Sequence, residues 1–411
     1  MTNRRCFMKK FVLITLMILL SLTALSKVQL VLSGWPGNPV EESIIKQNVE
    51  DFNASHPDIE LSWEPAGDVT QFTQRMISQI AAGSGPDLFY VDVAWSEEFY
   101  KMNALYPLDL FIKKDHYDLE DFSPALLDAF SFEDRIYGLP KDCASLTLFY
   151  NKKFFDQYGV AYPETGDTYF DLLLKATALK EAGCENPMVV AADFNRVIPF
   201  IIGSGGQLVN EDLSTAITED NAWAGLKFYV DLVRKYKVGV EPGTVGSSWI
   251  GEAYGREKVA MAMTGSWSVG YLRGQYPDVL ENTGIVQLPY FSEPSSMLYT
   301  VAWSINRFSA HKNEAWTALK FLVDEGQKRF VEEVGSMASK KSIAATDTDE
   351  IKNPFYTALD VAHPWKVSTP SGKFTKANDE LNTILKDLFY GNMDYETARV
   401  LINERYMEWV K

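Results

Sequence analysis

Beyond residue 27, short apolar runs alternate with longer stretches in which apolar positions recur every three or four residues. Val28 to Leu32 reads as a buried strand. Asn38-Pro39 then starts a helix, with Asn38 as N-cap, Pro39 at its first position and Glu41 placed for a capping box. Val40, Ile44, Ile45, Val49 and Phe52 form its apolar stripe, and His56-Pro57 ends it. Ile59 to Trp63 is a second strand. Asp68, with Gln71 three residues on, caps a second helix striped by Phe72, Met76, Ile77 and Ile80 and closed at Gly83. Leu88 to Val93 is a third strand. This β-α-β-α-β order predicts a parallel sheet with right-handed crossovers.

The alternation continues through the middle of the chain. Strands are predicted at Thr147 to Tyr150, Met188 to Ala192, Val259 to Met263, Ile285 to Leu288 and Tyr299 to Ile305. Helices are predicted at Tyr169 to Leu179 and along the stripe Trp223, Leu226, Val230 and Val233. Helix dominates from Glu314 on, as in Ala315 to Val323 and Ala377 to Leu388. No internal repeat or flexible linker separates two halves, although 411 residues exceed what one core usually holds. Two α/β lobes connected by ordered strands follow.

Residues 1–26 break the pattern. Arg4, Arg5, Lys9 and Lys10 precede an apolar run from Phe11 to Leu20 interrupted only by Thr15, and Ala24-Leu25-Ser26 offers small residues for cleavage. This is the form of a secretory signal peptide, with the mature chain starting near Lys27. The run is shorter than the ~20 residues a membrane span needs, though an uncleaved anchor is the competing reading. Lipid attachment requires a Cys just after the run, and Cys6 lies ahead of it. Met8 is an alternative start. The expected location is the periplasm or the extracellular space, without a lipid anchor.

With 39 basic and 55 acidic residues the net charge is −16, and the signal segment removes only basic residues from the mature form. Such a surface repels nucleic acid and anionic membrane and is compatible with a neutral ligand. Aromatic residues make up 13% of the chain, including 10 Trp. Indole and phenol faces stack on the C–H faces of pyranose rings, though most aromatic side chains simply fill cores. Cys143 and Cys184 suit either a disulfide in an oxidising compartment or two buried thiols. Four scattered His and no close Cys pair give no metal site, and no cofactor is expected.

An ordered set of segments resembles the extracellular solute-binding proteins of ABC importers, in the branch that includes maltose-binding protein. The segments are VEDFNASHPDIEL (Val49 to Leu61), MISQIAAGSGPDLFYVD (Met76 to Asp92), IYGLPKDCASLTLFYNKKFF (Ile136 to Phe155), AMAMTGSWSVGYL (Ala260 to Leu272), AWSINRFSAHKNEAWTALKFL (Ala302 to Leu322) and LFYGNMDYETARVLINERY (Leu388 to Tyr406). The resemblance covers essentially the whole mature chain. It implies an α/β, two-lobed periplasmic-binding-protein fold of type II, with ligand enclosed between the lobes. It implies an N-terminal lobe of residues 27–140 plus 302–343 and a C-terminal lobe of 141–301 plus 344–411. Hinge points fall near Pro140-Lys141, Met297 to Ala302 and Ile343. The partners it implies are a small-molecule sugar and, transiently, a membrane permease, with the protein itself a monomer.

Ligands of α/β lobes sit at the carboxyl ends of strands, which singles out Ser33 to Asn38, Asp92 to Trp95 and Gly265 to Trp267. Trp267 stands where the family places a sugar-stacking aromatic, or else packs between a strand end and a helix. Asp92 either accepts paired hydrogen bonds from sugar hydroxyls or caps the next helix. Trp35 and Trp95 are candidate platforms, and Asn38 suits a cap better than a contact. Asp193, Asn195 and Arg196, ahead of Gly205-Gly206, align with ligand contacts of the family. The aromatic-rich stretch of the maltose-binding pattern is replaced there, and Ala144 stands where that pattern is acidic, so maltose itself is not implied. Asp142 is a substitute for the missing acid. Trp303 and Trp365 complete the candidates, each also reading as a core aromatic.

The function expected is capture of a neutral sugar or oligosaccharide for an ABC permease, not catalysis. A secreted glycoside-active enzyme would need two carboxylates about 5–10 Å apart across a cleft. No Gly-x-Ser-x-Gly or His-Glu-x-x-His pattern is present. The same fold binding a polyamine or another solute is the remaining alternative. Asp347-Thr348-Asp349 begins like a calcium loop, but Lys352 occupies the turn-glycine position, and the run reads as a solvated loop.

Overall fold

The computed structural model describes residues 27–210, 214–364 and 374–410. The signal segment and Trp365 lie outside the described residues. Ten strands form one mixed sheet: β1 (Val28–Gly34), β2 (Ile59–Pro65), β3 (Leu88–Asp92), β4 (Leu139–Asn151), β5 (Met188–Val189), β6 (Gly239–Val240), β7 (Met261–Gly265), β8 (Thr283–Val286), β9 (Ser296–Ile305) and β10 (Ala362–Pro364). The helices that bear on the site are α1 (Pro39–Ser55), α2 (Val69–Ala81), α3 (Tyr169–Glu181), α4 (Phe194–Gly203), α5 (Asp220–Arg234), α6 (Trp267–Gln275), α7 (Lys312–Arg329), α8 (Phe374–Tyr390) and α9 (Tyr395–Val410). No helix among the described residues is long and apolar enough to cross a membrane.

The N-terminal β-α-β-α-β forms as its sequence pattern predicts. β1 pairs parallel with both β2 and β3. Asn38 Oδ1 accepts from the Val40 and Glu41 amides, and α1 buries Ile44, Ile45, Val49 and Phe52. Asp68 caps α2 through the Gln71 amide, and α2 buries Phe72, Met76 and Ile80. The predicted capping box is shifted: Glu41 Oε2 accepts from the Gly37 amide at 2.7 Å, not from the cap residue itself. That leaves the other carboxylate oxygen free to turn toward the cleft.

The sheet order is β2-β1-β3-β9-β4-β7-β5-β6, with β8 also on β4 and β10 also on β9. The parallel pairing expected of the first three strands holds, and β5 also pairs parallel with β6 and β7, and β10 with β9. In the middle, β9 runs antiparallel to β3 and to β4, and β4 runs antiparallel to β7 and β8. β4 is far longer than its predicted core, Thr147 to Tyr150. Its residues 139–145 pair with β9, and residues 146–151 pair with β7 and β8, so one strand serves both halves of the sheet. Almost every residue of β4 is buried, which removes the polar alternation that would have marked its start.

The fold is the two-lobed α/β binding-protein architecture. α3, α4 and α5 cover the second half of the sheet, where Tyr169, Phe200 and Phe228 stack with centroids 4.7–6.0 Å apart. α8 packs on α5 and α9 packs on α8. Cys143 and Cys184 are both buried free thiols. The run at Asp347 is solvated only in part: Thr348 is exposed, but the Asp347 carboxylate is buried. Lys352 is only 1% exposed, its ammonium lies 2.9 Å from Asp347 Oδ2 and also donates to the Val331 carbonyl, and the Tyr356 hydroxyl joins the same carboxylate. An internal cation thus ties the run to the end of α7, which spacing alone could not reveal.

Candidate functional site

A cleft of about 480 Å³ opens where the loops after β1, β3 and β7 meet the middle of β4 and β9. Trp35, Asn38, Asp92, Trp95, Asp142, Asp193, Asn195 and Trp267 all line it. Eight of the twelve sequence candidates thus come together, five of them (Trp35, Asn38, Asp92, Trp95 and Trp267) from the carboxyl-end rule and three (Asp142, Asp193 and Asn195) from the family resemblance. Gly206 lies elsewhere: a Cβ there would sit 2.5 Å from Ala222, so this glycine serves the close approach of α5. Trp303 is 2% exposed and packs on Tyr90 at a centroid distance of 4.2 Å, beneath the cleft floor. Arg196 does not line the cleft. It donates to the Met263 carbonyl at 2.7 Å, and its guanidinium lies 5.9 Å from the Trp267 ring centroid, supporting that indole from outside.

One wall is built from the first lobe. Trp35 sits edge-on to Tyr90 at 5.1 Å and to Trp95 at 5.4 Å, and it leans on Phe72 at 5.2 Å. A Cβ at Gly34 would lie 2.4 Å from the Tyr90 ring, so the ring needs a glycine at the end of β1. The facing wall carries Trp267, perpendicular to Tyr299 at 5.2 Å. A Cβ at Gly265 would meet the Trp267 ring at 2.2 Å, so this indole lies flat on the backbone at the end of β7. Trp95 Nε1 and Tyr299 Oη are buried without a hydrogen-bond partner in the protein. Such orphaned donors carry a desolvation cost that a ligand acceptor would relieve.

Asp92 fills both of its expected roles. Its Oδ1 accepts from the Ala94 amide at 2.8 Å, capping the turn that presents Trp95, while the side chain lines the cleft. Asp193 likewise caps α4 through the Asn195 amide at 3.1 Å and holds the Asn195 side chain at 3.0 Å. Burial pushes the Asp92 carboxyl up to about 7; the Ala94 amide pulls it down, and the nearby Asp142 charge pushes it further up. An unfolded Asp titrates near 4. Between those values the folded state holds a proton that the unfolded state has released, so this contribution to stability falls as pH rises from about 4 to 7. Asp92→Asn cannot ionise and still caps. Its unfolding free energy relative to wild type is expected to climb between pH 5 and pH 8 in urea titrations. A pH-independent difference would refute the shift.

Sequence reasoning missed the charged centre of the cleft, Glu41 and Lys141. The Lys141 ammonium contacts Asp142, lies 3.5 Å from Glu41 Oε1, and stands over the rings of Tyr90 at 4.8 Å and Phe330 at 4.5 Å. In regular alternation Lys141 and Asp142 would point to opposite faces. The β4–β9 register shifts here: Val301 pairs with Asp142 and Ala302 with Pro140, leaving Lys141 as an extra residue. This bulge brings both side chains to the cleft. Gln327 of α7, 1% exposed, fastens it. Its Nε2 donates to the Lys141 carbonyl at 2.8 Å and to Ser339 Oγ at 2.7 Å, and Ser339 Oγ donates to the Pro140 carbonyl at 2.6 Å. Burial would lower the Lys141 ammonium's pKa, but the carboxylates of Asp142 and Glu41 outweigh it and raise the pKa. Burial likewise raises Glu41, against the pull of Lys141. No local pattern marks a bulge set by pairing with a strand far along the chain, Val301 with Asp142 and Ala302 with Pro140.

The sequence profile of the bacterial extracellular solute-binding protein family matches residues 37–329. The lactose-binding protein of Rhizobium radiobacter is 24% identical over 356 residues, covering 83% of each chain. The maltotriose-binding protein of Pyrococcus abyssi is 23% identical over 289 residues, 68% of this chain and 60% of that one. Among solved structures, an ABC substrate-binding protein of Listeria monocytogenes in complex with cycloalternan superposes with a TM-score of 0.84 at 19% identity, covering 93% of this chain and 99% of that one. Maltose-bound MalE3 of T. maritima gives 0.82 at 21%, covering 93% and 99%. The profile runs from the first strand–helix turn to the end of α7, and the structures share the two-lobed architecture. The chain belongs to the bacterial extracellular solute-binding protein family.

Proposed function

We propose that this protein captures a neutral sugar or oligosaccharide between two closing lobes and delivers it to an ABC transporter permease. The observation that carries the reading is the chemistry of the cleft. Indole and phenol rings from both lobes face a space that also holds carboxylates and the orphaned donors Trp95 Nε1 and Tyr299 Oη. Rings suit the C–H faces of a pyranose, and the polar groups suit its hydroxyls. The relatives named for lactose and maltotriose, and the neighbours bound to cycloalternan and maltose, are in keeping with it. We place ligand contacts at Trp35, Asp92, Trp95, Asp142, Asp193, Asn195 and Trp267, and add Glu41, Lys141 and Tyr299.

The lobes are taken as residues 27–140 plus 302–343 and 141–301 plus 344–411. Ligand contacts on both lobes favour the closed state, which the permease accepts, by differential affinity. We read the protein as a secreted, unanchored monomer, released by cleavage near Lys27, that carries its ligand without transforming it. A thermal-shift screen of purified protein against mono-, di- and trisaccharides, with spermidine as the cationic control, tests the reading. A sugar at a hundred times its Kd is expected to stabilise the fold by about 2.7 kcal/mol. A shift with spermidine alone, or with none of the panel, would overturn the assignment.

A further inference from the structure

Gln327 lies near the end of α7, and no residue of that helix lines the cleft. Both ends of its buried amide are nevertheless engaged. Nε2 donates to the Lys141 carbonyl and to Ser339 Oγ, and Oε1 accepts from the Lys340 amide at 3.2 Å. Two donor bonds and one acceptor bond leave this amide little unmet demand. A methionine would fill much the same space and make none of these bonds.

The bonds clasp together two segments of chain, Pro140-Lys141 and Ser339-Lys340. The same segments meet again at Cys143 and Met337, which exchange backbone hydrogen bonds of 3.0 and 3.2 Å. There the chain is held by ordinary strand pairing. At the bulge a side chain does the holding.

α7 also reaches the other end of Lys141. Phe330 follows Gln327 by three residues, so the two share one face of the helix end. Its ring stands 4.5 Å from the Lys141 ammonium, while Gln327 holds the Lys141 carbonyl. One helical turn thus grips a single residue at its backbone and at its charge. Fixing both ends fixes the direction of the side chain between them.

We propose that Gln327 is a positioning residue for ligand binding, holding the bulge so that the Lys141 ammonium meets the ligand together with Glu41 and Asp142. The proposal rests on the carbohydrate reading above, in which Lys141 is a ligand contact, and adds the residue on which that contact depends. Without the clasp the bulge relaxes toward regular alternation, which turns Lys141 and Asp142 to opposite faces.

The test joins calorimetric titration with lactose, maltose and maltotriose to residue-resolved acetylation by acetic anhydride, read by mass spectrometry. In wild type Lys141, at 5% exposure, is expected to resist acetylation, and Lys352, at 1%, serves as the control for an intact fold. Gln327→Met should weaken the tightest of these sugars at least about tenfold and acetylate Lys141 several times faster, with Lys352 still protected. Gln327→Glu is the conservative variant. Protonated, its carboxyl still donates to the Lys141 carbonyl and accepts from the Lys340 amide; ionised, it can donate to nothing. Burial favours the protonated form. The charged side chains on the clasped segments are Lys141, beside Glu41 and Asp142, and Lys340, beside Asp121 and Asp324. Each affinity is therefore compared with wild type at the same pH. The ratio is expected near one at pH 5 and about tenfold at pH 8.5.

Wild-type affinity in Gln327→Met, or lost affinity with Lys141 still protected, overturns the proposal. So does a Gln327→Glu variant whose ratio to wild type is the same at both pH values, and this variant decides if Gln327→Met does not fold. If none of the sugars binds wild type, the carbohydrate reading falls, and acetylation of Lys141 still decides whether Gln327 positions it.

Discussion

Replacing Lys141 by methionine is expected to lower the unfolding free energy by about 3–5 kcal/mol and to abolish measurable sugar binding. The side chain is nearly isosteric, so little packing is lost. What changes is the charge. Lys141, Glu41 and Asp142 have side chains only 6%, 12% and 14% exposed, and the ammonium is the sole cation among them. Removing it leaves two carboxylates facing each other beside the Tyr90 ring without compensation. The Glu41 carboxyl, already raised by burial, would rise further, so the deficit should shrink as pH falls toward 5 and this carboxyl takes up a proton. The triple variant Glu41→Gln, Lys141→Met, Asp142→Asn carries no uncompensated charge and is expected to recover most of the lost stability but not binding. Urea unfolding of the three proteins at pH 5 and pH 7.5 decides the matter. A loss below about 1 kcal/mol in Lys141→Met would mean that the cluster is solvated and carries little energy.

The same cluster shows what the sequence could and could not convey. Elements with local signals were legible: the Asn38 and Asp68 caps, the stripes of α1 and α2, and the apolar runs of β1 and β3 all appear where the pattern places them. So were the cleft residues that sit just past strand ends, because strand direction and burial together dictate where such loops gather. Trp35, Trp95 and Trp267 follow from that rule alone. Lys141 did not, because its orientation depends on a register shift against β9, and β9 is paired only once the chain has closed on itself. Glu41 reads as a capping-box acid, yet it bonds the Gly37 amide instead, and its approach to Lys141 depends on how α1 meets β4. Burial of the Asp347 carboxylate was hidden for the same reason, since the ammonium that pairs with it also bonds Val331, just past the end of α7.

Trp303→Ala is expected to cost about 3–5 kcal/mol of stability while changing sugar affinity far less than Trp267→Ala does. Both residues are tryptophans among the sequence candidates, Trp267 read there as a stacking aromatic past a strand end and Trp303 as also suiting the core. Trp303, at 2% exposure, stacks against Tyr90 and sits at a β9 position paired with it, so its loss opens a cavity under the cleft floor. The Tyr90 ring is still held above by Trp35 and seated against Gly34, which limits how far the floor sags. Trp267 is half-buried, backed by Gly265 and Tyr299, with much of its surface facing the cleft. Trimming it removes contact area for ligand and little core, so its stability should stay within about 1 kcal/mol of wild type. Denaturant unfolding and calorimetry on both variants, with affinity measured well below the melting temperature of Trp303→Ala, separate the two roles. If Trp303→Ala unfolds like wild type, or loses affinity as steeply as Trp267→Ala, then Trp303 belongs to the binding surface and the floor of this cleft lies one residue deeper.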